Sequence, residues 1–285
     1  MPNTLVTGSA GFIGRHLVPV LETLGDSVYA VDRRAGDLEI EATWSTLPAA
    51  DVVVHLAGKS FVPASWAEPS HHVRANLSIT LAALEYCRRH QSRLVFLSSY
   101  LYGAPDVLPI PETAAIRATN PYALSKQLAE QACQFYAEHF ELSVTVLRPF
   151  NAYGPGQGAS FLIPAIVQAV ELSATIRIKD LEPRRDYVHV EDLVRAIVAA
   201  TREAAGYRVF NVGSGVSHSV ADVIRLIQEI WGTTLPVVSE AIRRPGEIMD
   251  TVADVSAAAR GLPWRPEISL ADGLRRLRTT PGSAV

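Results

Sequence analysis

Residues 4–14 read TLVTGSAGFIG. The apolar run 4–7 has the make-up of a short strand. Three glycines follow, Gly8, Gly11 and Gly14, each three positions after the last. From Phe12 to Leu24 the apolar residues fall at 12, 13, 17, 20, 21 and 24, a helical period, and Gly25 stands where a helix C-cap glycine would. The same alternation continues outward. Residues 27–31, 51–56, 93–97 and 144–147 read as strands, with helical patterns at 71–90 and ahead of residue 144. Strands alternating with helices imply an α/β fold with a parallel sheet covered on both faces. Right-handed crossovers then bring every strand's C-terminal end to one rim, the side where such sheets bind ligands. The second half is less regular. Gly154, Pro155, Gly156 and Gly158 mark a loop, 163–172 and 220–231 read as helices, 209–212 as a strand and 270–277 as a short helix. There is no internal repeat and no low-complexity linker.

The glycine-rich turn lies on that rim. Glycine permits the tight turn, lets the backbone approach a pyrophosphate, and lets strand and helix pack closely. Phosphates would sit over the free N–H groups at the helix start. Asp32 ends the next strand, 18 residues after Gly14, where a carboxylate accepts hydrogen bonds from adenosine ribose hydroxyls. That placement predicts a dinucleotide, with NAD favoured because a carboxylate repels a 2′-phosphate. Arg33 and Arg34 follow at once and suit that phosphate, so NADP stays open; solvated loop charges are the bland alternative.

A second cluster begins at Asn120-Pro121-Tyr122-Ala123-Leu124-Ser125-Lys126. Asn120 suits an N-cap and Pro121 the first helical position. Tyr122 and Lys126, four apart, then share one helix face. A tyrosine, with an ordinary pKa of about 10, is a poor acid or base near neutrality. A neighbouring ammonium stabilises its phenolate and makes it usable. Ser98 stands at the end of the strand 93–97, on the ligand rim, where its hydroxyl would bond the reacting oxygen. Ser99 is adjacent and equally hydroxylated.

Composition narrows the classes. The chain has 285 residues, 48% hydrophobic and 19% charged, with a formal net charge of -3. That is enough apolar material for one large domain or two unequal ones. No basic block points to nucleic acid. The two cysteines, Cys87 and Cys133, make no disulfide framework, and no His or Cys spacing suggests a metal. No basic segment followed by an apolar stretch opens the sequence, and no run is long enough to cross a bilayer, so no signal peptide, no membrane and a cytoplasmic location are expected.

Taken in order, these stretches resemble the extended short-chain dehydrogenase/reductase family, in its branch of nucleotide-sugar epimerases, dehydratases and reductases. The likeness runs from Thr4 to about Leu277. It rests on TGSAGFIG at 7–14, Asp32, DVVVHLAG at 51–58, SSYLYG at 98–103, NPYALSK at 120–126, LRPFNAYGPGQ at 147–157, RRDYVHVEDL at 184–193 and RRPGE at 243–247. The resemblance implies a Rossmann-type doubly wound sheet with a smaller C-terminal substrate-binding lobe. Residues 1–150 plus about 186–213 would hold the dinucleotide, and 151–185 plus 214–285 the nucleotide sugar. Its cofactor residues would be Gly8, Gly11, Phe12, Ile13, Gly14, Asp32, Arg33, Asp37, Leu38, Leu56, Ala57, Gly58, Tyr122, Lys126 and Pro149. Asp37 and Leu38 look like the adenine-contacting pair, although they follow the second strand closely. Counting back from Gly103 aligns Ser98 with the family's catalytic hydroxyl, beside Tyr122 and Lys126. Substrate contacts would come from Ser99, Tyr100, Asn151, Arg185, Arg244 and Glu247, the two arginines on the diphosphate and Glu247 on the nucleotide ribose. The 4,6-dehydratases of the family carry an acidic pair where this chain has Ser99 and Tyr100, so dehydration is disfavoured. A 4-ketoreductase of nucleotide-linked 4-keto-6-deoxyhexoses and a 4-epimerase remain. The runs GKSFVPASWAEP at 58–69 and KDLEPRRD at 179–186 look like the GDP-linked branch and tilt toward the reductase, whereas Asp32, suited to a retained NAD, tilts toward the epimerase. A non-catalytic NAD(P)-sensing regulator is the expectation from another class, and the presence of Tyr122 and Lys126 counts against it. The family also pairs two helices per subunit, here 71–90 and 120–140, into a homodimer.

Overall fold

The computed structural model describes residues 1–203, 206–242 and 247–279. The chain opens with β1 (Asn3–Thr7), α1 (Phe12–Thr23), β2 (Ser27–Val31) and a single 3-10 turn at Arg33–Ala35. There follow α2 (Glu41–Ser45), β3 (Val52–His55), α3 (Val62–Ala67), α4 (Pro69–His90), β4 (Arg93–Leu97), α5 (Pro121–His139) and β5 (Val144–Pro149). The second half holds β6 (Asn151–Tyr153), α6 (Leu162–Leu172), β7 (Ile176–Ile178), β8 (Arg184–His189), α7 (Val190–Arg202) and β9 (Tyr207–Val212). It closes with β10 (Ser217–Ser219), α8 (Val220–Trp231), β11 (Val237–Ser239), α9 (Ser256–Gly261) and α10 (Leu270–Thr279).

Six strands form one wholly parallel sheet in the order β2-β1-β3-β4-β5-β9. Helices cover both faces, the Rossmann-like arrangement expected of the alternation. On one face Leu17 and Leu21 of α1, Leu193 and Ile197 of α7 and Ala258 of α9 pack over Val6, Val54 and Leu147. On the other, Trp44 of α2, Leu84 and Cys87 of α4 and Ala129 and Cys133 of α5 pack over Leu5, Val53 and Val146. Both cysteines are buried free thiols. The chain leaves β1 toward β2 on one side and returns to β3 on the other, so a crevice opens beyond the C-terminal ends of β1 and β3. That reversal is where open parallel sheets take ligands.

The smaller part is built on two short sheets, β10-β8-β6 and β11-β7. Its core joins Ile166 of α6, Ile224 and Ile227 of α8 and Leu274 of α10 to Tyr153 and Tyr187. Helix α8 is delimited as its sequence dictates. Ser219 and Asp222 form a reciprocal capping box, and Gly232 at φ 70 terminates it in the left-handed region. Strand β8 reads RRDYVH, which shows no simple alternation, because it buries polar groups. The carboxylate of Asp186 is fully buried and accepts from Ser214 N (2.6 Å), Ser214 Oγ (2.7 Å), Gly215 N (2.9 Å) and Ala253 N (3.1 Å). It thereby ties β8 to two later loops. Among the described residues, no helix is long and apolar enough to cross a membrane.

Candidate active site

The turn between β1 and α1 is set by packing. Gly8 has φ +70, and a Cβ there would lie 2.8 Å from Ala57 N of the neighbouring strand end. A Cβ on Gly14 would lie 2.4 Å from Gly8 O. These two glycines let α1 start directly against the C-terminal ends of β1 and β3. The helix N-cap is Gly11, which offers no side chain to the first-turn amides of Phe12, Ile13 and Gly14. A bare backbone cradle and uncapped amides on the ligand rim fit a pyrophosphate.

Beyond β2, Asp32 caps the 3-10 turn by accepting from Arg34 N at 2.8 Å. Its carboxylate also holds the Arg34 guanidinium, Nη2 to Oδ2 at 2.5 Å and Nε to Oδ2 at 2.9 Å. Those hydrogen bonds keep Asp32 below the usual carboxylate range. Arg33 lies in the same turn. Asp37 accepts from Glu39 N at 2.9 Å, whereas the Leu38 side chain is buried in the core and its carbonyl accepts from Trp44 Nε1 at 3.0 Å. Leu56 and Ala57 are half-buried at the crevice, and Gly58 is exposed beside them.

The catalytic candidates converge at the other side of the crevice. Asn120 Oδ1 accepts from Ala123 N at 2.8 Å and Pro121 opens α5, so Tyr122 and Lys126 project from its first turns. Lys126 is 7% exposed; its Nζ donates to Leu97 O at 2.8 Å and lies 4.8 Å from the centre of the Phe96 ring. Burial lowers its pKa to about 8, with Cys133 and Glu130 acting against the shift. Burial pushes Tyr122 up to about 12, and a hydrogen bond with Ser99 offsets part of that rise. Ser98 N is held by Leu147 O at 2.8 Å, and its Oγ is buried without a hydrogen-bond partner. The two serines therefore divide: Ser99 engages the tyrosine, and Ser98 keeps an unused hydroxyl on the rim.

Toward the smaller sheets, Tyr100 stacks on Phe150 at 5.0 Å and donates to Asn151 Oδ1 at 3.3 Å. Asn151 Nδ2 donates to Asp186 O at 3.2 Å. Pro149 is buried at the end of β5, its carbonyl accepting from Tyr100 N at 3.2 Å. Arg185 forms an ion pair with Glu247 and donates to Ile248 O (2.7 Å) and Arg184 O (2.8 Å). Arg244 lies outside the described residues, as do Arg243, Pro245 and Gly246.

Three groups escaped the reading of the sequence. Asn76 of α4 clamps the loop after β3: its Oδ1 accepts from Lys59 N (2.7 Å) and its Nδ2 donates to Lys59 O (3.0 Å) and Ser125 Oγ (2.8 Å). The signal was an asparagine on the apolar side of a helix. His55 is fully buried between Thr7 and Phe96, and burial together with Lys126 lowers its pKa to about 3. Arg148 and Glu130 pair at 2.6 Å in the interior, with Arg148 also donating to Tyr102 OH at 2.9 Å. Among the described residues, no group of three or more His, Cys, Asp or Glu could hold a metal ion.

A parallel sheet with a glycine-lined crevice facing a Tyr–Lys helix defines the class of nicotinamide-type α/β enzymes. Residues 4–213 match the model of the NAD-dependent epimerase/dehydratase family, and the chain belongs to that family. It is 34% identical to a UDP-glucose 4-epimerase of Corynebacterium glutamicum over 92% of this chain and 90% of that protein. It is 31% identical to a GDP-6-deoxy-D-mannose reductase of Pseudomonas aeruginosa over 95% of this chain and 94% of that protein. Among solved structures, RMD from Pseudomonas aeruginosa complexed with NADPH superposes with a TM-score of 0.90 at 27% identity, covering 97% of each chain.

Proposed function

We propose that the protein is a nicotinamide-dependent nucleotide-sugar oxidoreductase acting at C4 of the sugar, and that it works as a 4-ketoreductase on nucleotide-linked 4-keto-6-deoxyhexoses, GDP-linked ones favoured. The turn at Gly8, Gly11, Phe12, Ile13 and Gly14 would hold the cofactor's pyrophosphate. Leu56, Ala57, Gly58 and Pro149 would line the crevice beside it, with Asp32, Arg33, Asp37 and Leu38 toward the adenosine. When bound, a reduced nicotinamide supplies hydride to the C4 carbon. Tyr122 gives its proton to the C4 oxygen, and the Lys126 ammonium stabilises the phenolate left behind. Ser98, the catalytic hydroxyl in this reading, is free to bond the same oxygen, while Ser99 orients the tyrosine. Arg185 and Arg244 would hold the diphosphate, Asn151 the sugar and Glu247 the nucleotide ribose. The smaller sheets, with α6, α8 and α10, would form the substrate lobe, and two chains would pair through α4 and α5.

The observation that carries the reductase reading is the Asp32–Arg34 pair. With its carboxylate already engaged by an exposed guanidinium, Asp32 would grip the ribose of NAD less firmly, and Arg34 beside it would suit a 2′-phosphate. That arrangement suits a cofactor exchanged at each turnover. The second reading, a 4-epimerase, is favoured by the 34% identity to a UDP-glucose 4-epimerase; it requires the cofactor to stay bound.

The test is incubation with GDP- and dTDP-linked 4-keto-6-deoxyhexoses plus NADH or NADPH, following the reduced-nicotinamide absorbance. Stoichiometric loss is expected, slowed roughly 10²–10⁴-fold in Tyr122→Phe with cofactor affinity retained. No loss, together with NAD that survives purification and interconversion of UDP-glucose and UDP-galactose, would establish the epimerase instead. Full activity of Tyr122→Phe would remove the tyrosine from the reaction.

A further inference from the structure

Strands β6 and β8 run parallel with Asn151 opposite Tyr187. Paired residues of adjacent strands rise on one face, and residues two apart on a strand share it. Asn151, Tyr187 and Arg185 therefore stand together, while Asp186 turns to the other face and is taken by Ser214, Gly215 and Ala253. Tyr187 is 4% exposed, with its ring held edge-on against Tyr153 at 6.4 Å. Its hydroxyl is shielded from solvent and has no hydrogen-bond partner. Burial pushes the phenol above its ordinary range, Arg185 pulls it back and Tyr100 raises it further. The phenol therefore stays protonated at neutral pH, a neutral hydroxyl able to donate.

Buried hydroxyls without partners are uncommon, because desolvating one is not repaid unless something bonds it. Phenylalanine would fill the same space without that cost. On its strand face Tyr187 is flanked by Arg185, assigned to the diphosphate, and by Asn151, assigned to the sugar; of the other described buried hydroxyls without a partner, those of Ser98, Thr233 and Thr251, Ser98 Oγ is assigned to the reacting oxygen.

We propose that Tyr187 is a specificity-determining residue whose hydroxyl donates a hydrogen bond to the pyranose of a nucleotide sugar, between its diphosphate and C4. The inference rests on reading the crevice as a nucleotide-sugar site. It makes the protein sense the presence of the sugar separately from the nucleotide.

The experiment is calorimetric titration of cofactor-saturated wild-type and Tyr187→Phe protein with three pairs of probes, UDP-glucose against UDP, GDP-mannose against GDP and dTDP-glucose against dTDP. For the pair that the wild type binds, the variant is expected to bind the nucleotide sugar about tenfold more weakly, the size of one neutral hydrogen bond. The free diphosphate should bind as before, the cofactor affinity should be retained, and the melting temperature should be equal or higher, since the unpaired hydroxyl is gone. Unchanged nucleotide-sugar affinity would overturn the assignment, and so would an equal loss for sugar-linked and free diphosphates. Wild-type protein that binds none of the three nucleotide sugars would bring down the functional reading itself, a result distinct from a wild type that binds one and a variant that binds it equally.

Discussion

Lys126 carries an amine into the interior beneath the crevice, with one carbonyl, Leu97 O, and the face of Phe96 as its company. Desolvation makes its ammonium expensive, and this has a measurable sign. In the unfolded chain the amine titrates at its ordinary 10.5, and in the fold at about 8. Between those values the unfolded chain holds more protons, so raising the pH favours the fold. The contribution is complete above the unfolded value and is lost as the pH falls through the folded one. The cofactor-free wild type should therefore gain stability relative to Lys126→Met as the pH rises from about 7 to about 10, by at most ~3 kcal/mol. Paired thermal melts across that window check it, and a constant or shrinking advantage would mean that the amine is not desolvated. At this scale the sequence was readable where spacing carries geometry. A tyrosine and a lysine four apart behind an Asn-Pro cap had to share a helix face, and they do. It was not readable where neighbours in sequence diverge in space. Ser98 and Ser99 are equivalent as letters, yet a one-residue step past a strand end turns one toward Tyr122 and leaves the other without a partner. Tyr187 was invisible for the same reason, since nothing in RRDYVH says which hydroxyl will be buried and unpaired.

Among the elements, α1 shows how a short motif fixes a large contact. Inside an exposed helix, alanine in place of glycine is worth roughly 0.5–1 kcal/mol in favour of the fold. At Gly14 the sign reverses, because the new Cβ would meet Gly8 O at 2.4 Å and Ser9 O at 2.5 Å, both backbone atoms that cannot step aside. Gly14→Ala should cost about 1–3 kcal/mol and reduce dinucleotide affinity, since the cradle must open to admit the methyl group. At Gly158 an added methyl group would have nothing within 4 Å, so Gly158→Ala serves as the neutral control. Thermal melts with and without NAD read both effects; a Gly14→Ala protein as stable as the control would show that α1 does not need to approach β1 so closely. The long periodic elements were legible, and α1, α4, α5 and α8 fall within a few residues of their sequence patterns. Strands of three residues such as β6, β7, β10 and β11 were not, because three residues carry no period. Strand β8 was hidden by its own chemistry, a buried carboxylate satisfied by loops far along the chain.

For the whole molecule, the parallel sheet assigns a use to each side. The crevice lies at the strands' C-terminal ends, and away from it several apolar side chains of the α4–α5 pair stay exposed. Leu124, Leu128 and Phe135 fall at helical spacing along α5, and Leu81 stands on the adjoining helix. Leu81 is 38% exposed, Leu124 42% and Phe135 52%. Phe140, just past α5, extends the patch at 47%. Scattered exposed apolar residues need no explanation, but a contiguous stripe on two packed helices does. A second copy of the same chain would satisfy it. Two helices from each subunit would meet across a two-fold axis, a self-complementary arrangement that closes without leaving an open end. The axis would run beside the helix that carries Tyr122 and Lys126, so pairing would brace the catalytic turn from behind without touching the crevice. Sedimentation equilibrium should then give twice the 30.9 kDa chain mass. Placing a charge in the stripe with Leu124→Asp plus Phe135→Asp should return the single-chain mass, because a carboxylate buried against its own symmetry copy is unpaired and desolvated. The double variant should still bind NAD, since neither residue faces the crevice. A wild type that sediments as one chain, or a double variant that still sediments as two, would place the contact elsewhere or remove it.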